Sequence, residues 1–93
     1  MLINQLEERL NANKKVVVKI YSLEYTIEID NSKYVIYPNL YSNRKYTYDS
    51  LKELLSNYQI YNESIMSNLS RVSIIERGNV NEWDSSKNAT RNY

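Results

Sequence analysis

A small α+β domain, with a three- to five-stranded antiparallel sheet and helices packed on one face, is the fold class that three stretches of this sequence predict. From Lys14 to Tyr48, apolar and polar residues alternate with the period of two expected of strands that have one wet face. Before that run, Leu6 and Leu10 are spaced as one turn of a helix. After it, Leu51, Leu54, Leu55 and Tyr58 make an apolar helical stripe. The expected order is α-β-β-β-(β)-α-α-β within a single domain over residues 1–78, with 79–93 as a mobile polar tail.

The first helix is expected over Asn4 to Asn13, with Asn4 as N-cap, Glu7 three residues on and Lys14-Lys15 just past its end. About ten residues do not hold a helix in water, so Leu6 and Leu10 must pack on the sheet. In the meander, Val16, Val18 and Ile20 share one face. Tyr25, Ile27 and Ile29 share a face of the next strand, and Tyr34, Ile36 and Pro38 of the third.

Reading Ser22-Leu23 and Asn31-Ser32 as two-residue connections sets Ile20 opposite Tyr25 and Ile29 opposite Tyr34. The outward rows are then Val17, Glu28, Val35; Lys19, Thr26, Tyr37; and Tyr21, Glu24, Asn39. Lys19 falls diagonally between Glu24 and Glu28. Pro38 cannot donate to a ladder and closes the third strand, and Lys45 to Tyr48 is a short fourth.

Ser50 and Glu53 have capping-box spacing ahead of the Leu51 stripe. Asn62-Glu63-Ser64 reads as the N-cap of a further short helix carrying Ile65, Met66 and Leu69. Arg71 to Glu76 alternates again as a last strand. Beyond Gly78 one Val, one Ala, a Trp and a final Tyr are too sparse to fix the chain, and Trp83 is a group with which it can dock.

Composition narrows the function classes. The chain has no histidine and no cysteine, which removes the commonest general base, metal ligand and thiol nucleophile. With a single glycine there is no phosphate-cradling loop. Glu24 and Glu28 stand about 13 Å apart along a strand, too far to share one ion. No catalytic residue, metal site or cofactor is predicted.

The net charge of +1 gives no global field for nucleic acid or anionic lipid. The lack of cysteine, of a signal peptide and of a membrane span makes the cytoplasm the expected compartment. The richness in Asn, Ile, Lys and Tyr, all with A/T-rich codons, points to an AT-rich bacterial or phage genome.

The working surface predicted from these rows is the outward face of the meander: Val17, Lys19, Tyr21, Glu28, Val35 and Tyr37, with Trp83 as a secondary candidate. Aromatic and aliphatic residues bordered by charges suit a protein partner or a second copy of the chain, and make this a non-catalytic interaction module, an adaptor, inhibitor or self-associating domain. The alternative is single-stranded nucleic acid stacked on Tyr21 and Tyr37 beside Lys19. The near-neutral net charge and the two glutamates of the same face weigh against it.

Overall fold

A computed structural model describes residues 3–75 of the chain. Helix α1 (Ile3–Asn13) leads into strands β1 (Lys15–Ile20), β2 (Leu23–Asp30) and β3 (Lys33–Pro38). A 3-10 turn (Asn39–Tyr41) precedes β4 (Tyr46–Tyr48) and helix α2 (Leu51–Asn57). A two-stranded hairpin, β5 (Gln59–Ile60) and β6 (Glu63–Ser64), a 3-10 segment (Met66–Arg71) and β7 (Val72–Ile75) follow. The main sheet is antiparallel and five-stranded, in the order β4-β3-β2-β1-β7.

Because β4 and β7 occupy opposite edges, the chain between them crosses one face of the sheet and closes the core there. Leu6 and Leu10 of α1, Leu51, Leu54 and Leu55 of α2, Tyr58, Ile60 and Ile65 form one buried cluster with Val16, Val18, Ile20, Tyr25, Ile27, Ile36 and Val72 of the strands. Both leucine stripes are therefore on the inward face, as their spacing requires. Each fully buried leucine contributes about 2 kcal/mol by removal from water. That burial is what holds helices of 11 and 7 residues in place.

The ends of the helices follow from local chemistry. Ser50 Oγ accepts from the Glu53 backbone N–H at 3.1 Å, and Glu53 Oε1 accepts from the Asp49 N–H at 3.0 Å. This capping box is shifted by one residue on its return arm, so Asp49 rather than Ser50 donates to the carboxylate. At the end of α1, Lys14 takes a positive φ of 64°. Its carbonyl then accepts from the Ile29 N–H at 2.9 Å, so the helix end is tied directly to β2.

The second hairpin has the expected register, Ile29 opposite Tyr34 and Ile27 opposite Ile36, around Asn31 and Ser32 at φ 52° and 66°. The first does not. Ile20 pairs with Leu23 and Val18 with Tyr25, so the turn is Tyr21-Ser22 and β1 is displaced by two residues from the expected pairing. The reason is that Leu23 packs against the core as a strand residue, while Tyr21 takes the positive φ, 59°, that Leu23 would otherwise need. Lys19 accordingly stands opposite Glu24, and Lys15 opposite Glu28, instead of Lys19 lying between the two glutamates.

A second correction concerns Asn62. It does not cap a helix. Tyr61 and Asn62, at φ 54° and 67°, form the tight turn between β5 and β6, a position that asparagine tolerates better than most residues. The capping hydroxyl is Ser64, whose Oγ accepts from the Ser67 N–H at 3.2 Å, and the segment it starts is 3-10 rather than α. Gly78, Trp83 and the expected tail 79–93 lie outside the described residues. Among the described residues no helix is long and apolar enough to cross a membrane.

Three stability outcomes follow from this packing, capping and turn geometry. Leu54→Ala should cost about 2–5 kcal/mol and Ser50→Ala about 1 kcal/mol in urea unfolding, since Leu54 is fully buried. A neutral Leu54→Ala would mean that α2 does not close the core. Ser32→Gly should stabilise by about 0.5–1 kcal/mol, because glycine takes a φ of 66° without the Cβ clash. Loss of stability would show that the Asn31-Ser32 turn has another geometry.

Candidate functional site

Alternation along each strand carries the outward face, and the register sets its rows. One row runs Ile75, Val17, Thr26, Tyr37 across β7, β1, β2 and β3. A second, about 6.6 Å away along the strands, runs Lys15, Glu28, Val35, Thr47. On the other side of the first lie Ser73, Lys19 and Glu24. The face therefore has a mainly apolar middle row between two rows that each hold one Lys opposite one Glu. Lysines stand on β1 and glutamates on β2.

Of the residues expected on this face, Val17, Lys19, Glu28 and Tyr37 are there, though in rows reset by the two-residue displacement. Val35 is there as well but is buried, at 6% exposure, rather than part of an exposed apolar lane. On this face it stands between Glu28 and Thr47 across the strands and between Lys33 and Tyr37 along its own. Thr26 is equally buried at 5%, its hydroxyl donating to Asn39 Oδ1 at 2.6 Å. Tyr21 has left the face. In its turn it meets the Tyr61 ring edge-on at 5.4 Å, and its hydroxyl donates to Glu63 at 3.3 Å. Trp83 lies outside the described residues.

The electrostatics of the face are local and paired. Lys15 Nζ sits 3.9 Å from Glu28 Oε1, and the Tyr37 hydroxyl donates to the same oxygen at 3.5 Å. Lys45 Nζ lies 5.3 Å from the centre of the Tyr37 ring, over its face, a cation–π contact. Lys33 pairs with Asp49 at the border. Exposed pairs of this kind are worth about 0–1 kcal/mol each, so they orient a surface more than they stabilise a fold.

A cleft that sequence reasoning missed lies beside β4. Pro38, Arg44, Tyr46, Tyr48, Asn57, Tyr58 and Gln59 line about 360 Å³. The legible signal was that Tyr46 and Tyr48 share a strand face and that Tyr58 ends the α2 stripe. Tyr58 meets Tyr46 at 5.5 Å and Tyr25 at 6.1 Å, both edge to face. Burial pushes the Tyr58 phenol up to about 12, the nearby Tyr25, Tyr46 and Tyr48 push the same way, and Arg44 opposes. Burial also raises Tyr48 and Tyr25. All three stay protonated at neutral pH. Among the described residues, no three His, Cys, Asp or Glu side chains gather as a metal site.

The Tyr58 shift makes alkaline stability testable. Below the ordinary phenol value of 10.0 the phenol is neutral in both states. Between there and about 12 the unfolded chain releases the proton and the folded chain holds it, so stability is lost as pH rises through that window. Urea unfolding from about pH 9 to about 12 should show a steeper decline for the wild type than for Tyr58→Phe. Parallel curves would mean that Tyr58 ionises as freely folded as unfolded. Comparison with known proteins attaches no relative to this geometry: no family model matches the chain, and no curated protein or solved structure matches it.

Proposed function

We propose that the chain is a non-catalytic protein-interaction module, an adaptor, inhibitor or self-associating domain, that works through the outward face of its sheet. The supporting observation is the one-sided layering: α1, α2 and the β5–β6 hairpin all contribute to the single core cluster on the inward face. Among the described residues, none of these elements covers the other side. There Val17 and Ile75 are half-buried side by side, with Thr26 between Val17 and Tyr37, and each flanking row sets a lysine opposite a glutamate. An apolar centre with a charged rim is the anatomy of a protein-binding patch. The absence of cysteine suits work in the cytoplasm.

Single-stranded nucleic acid is less well served by the same face. Tyr21 stands in a turn against Tyr61, the Tyr37 ring lies under Lys45, and Glu24 and Glu28 place negative charge where phosphates would run.

Photo-crosslinking separates a working face from ordinary surface. Benzoylphenylalanine at position 37, on the sheet face, should give discrete protein adducts in concentrated protein or in extract of the source cell. The same group in place of Glu8, exposed on α1, should give none. Equal adducts from both positions, or none from position 37, would sink the proposal.

A further inference from the structure

We infer that the partner this face fits is a second copy of the chain, joined to the first in a two-fold symmetric, face-to-face dimer. This rests on the reading of the outward face as the working surface, and it is the cross-strand register that selects the occupant. Consider two such faces stacked about 10 Å apart, with a two-fold axis between them that runs parallel to the strands above the line between β1 and β2. The rotation sets β1 of one copy over β2 of the other and leaves the level along the strand unchanged.

Residues that are cross-strand partners within one copy therefore become face-to-face partners between copies. Lys15 stands over Glu28 of the second copy, Lys19 over Glu24, and Val17 over Thr26. Ile75 comes over Tyr37 by the same operation. Lys15 and Lys19 then each have a glutamate beside them and another across from them, and Val17, Thr26, Tyr37 and Ile75 of the two copies meet in the row between. An axis perpendicular to the strands instead sets Lys15 on Lys19 and Glu24 on Glu28, like charge on like, so the charges choose one arrangement and oppose the other. Turning the axis by about 15° gives the angle of about 30° at which aligned sheets pack. The lysines then shift by about 3 Å, within the swing of their side chains.

Area sets the strength. The four strands that this axis stacks, β7, β1, β2 and β3, about 4.8 Å apart and about six residues long, give a footprint of about 400 Å² per copy. Stable interfaces bury about 800 Å² per partner, so the dimer is weak, with a dissociation constant of about 10 μM to 1 mM.

Sedimentation velocity on the full chain, from about 5 μM to about 2 mM, tests this. The wild type should show a concentration-dependent shift from monomer to dimer that weakens in about 0.5 M salt. Lys15→Glu/Lys19→Glu and Glu24→Lys/Glu28→Lys should each associate at least about tenfold more weakly than the wild type. Their equimolar mixture should form a heterodimer, since each Glu of the first variant then faces a Lys of the second. Circular dichroism checks the fold, and if a double variant is unfolded, Lys19→Glu alone, at an exposed position, should still weaken association. A wild type that stays monomeric throughout overturns the dimer but leaves the face open to another protein, which crosslinking at position 37 decides. A dimer indifferent to these reversals, or a mixture that fails to associate, overturns the inference. Indifference also removes the face as the site of self-association.

Discussion

The positions of the tight turns are the constraint from which the rest of this structure follows. The described chain has no glycine, yet it reverses direction within two residues three times, at Tyr21-Ser22, Asn31-Ser32 and Tyr61-Asn62. Lys14, Tyr21, Asn31, Ser32, Tyr61 and Asn62 supply the positive φ angles. For residues with a Cβ this conformation costs about 1–2 kcal/mol each, so each turn persists only where the pairing or packing it permits is worth more. At Tyr21 the return is visible. Leu23 joins the core, and the Tyr21 ring and hydroxyl find Tyr61 and Glu63 on the neighbouring hairpin.

The same constraint explains what could be read in advance. Alternation tells which residues share a face, because it has a period of two. It cannot distinguish a register from one displaced by two, since that displacement returns every side chain to the same face. The assignment of Val16, Val18, Ile20, Tyr25, Ile27 and Ile36 to the core was therefore legible. The rows of the outward face were not, because they depended on whether Tyr21 or Leu23 entered the turn. Asn62 shows the matching ambiguity for helices: asparagine before Glu63 and Ser64 suits both an N-cap and a tight turn. The two-residue strands on either side carry too little pattern to decide.

Ten tyrosines in 93 residues suggest a binding surface, but packing accounts for most of those in the described structure. Tyr25, Tyr46 and Tyr58 form a chain of edge-to-face contacts from the sheet to the end of α2, and Tyr21 and Tyr61 join two hairpins. In a chain without phenylalanine, tyrosine fills the large aromatic positions of the core margin. Its hydroxyl keeps these positions near water, which is why they gather at the β4 cleft and the turns. Tyr37 is the tyrosine placed within the rows of the outward face, and even its phenol is engaged by Glu28.

A sheet can meet a partner by an edge or by a face, and the two differ in what this sequence makes available. The β4 edge offers three residues, Tyr46–Tyr48, and is hemmed by Arg44 and Lys45 on one side and by the α2 cap on the other. Short edges flanked by cationic side chains are poor templates for strand addition. The face is wider and its order is of another kind: its backbone groups are already paired in ladders, so recognition there depends on side chains alone. Lysines on β1 and β3 and carboxylates on β2 make a pattern that changes sign across the strands but not along them. Intrachain pairing alone does not require that segregation, because alternating the sign down each strand would give the same number of cross-strand pairs. What segregation adds is a difference between one orientation of an incoming surface and its reverse, and the proposed docking rests on that difference.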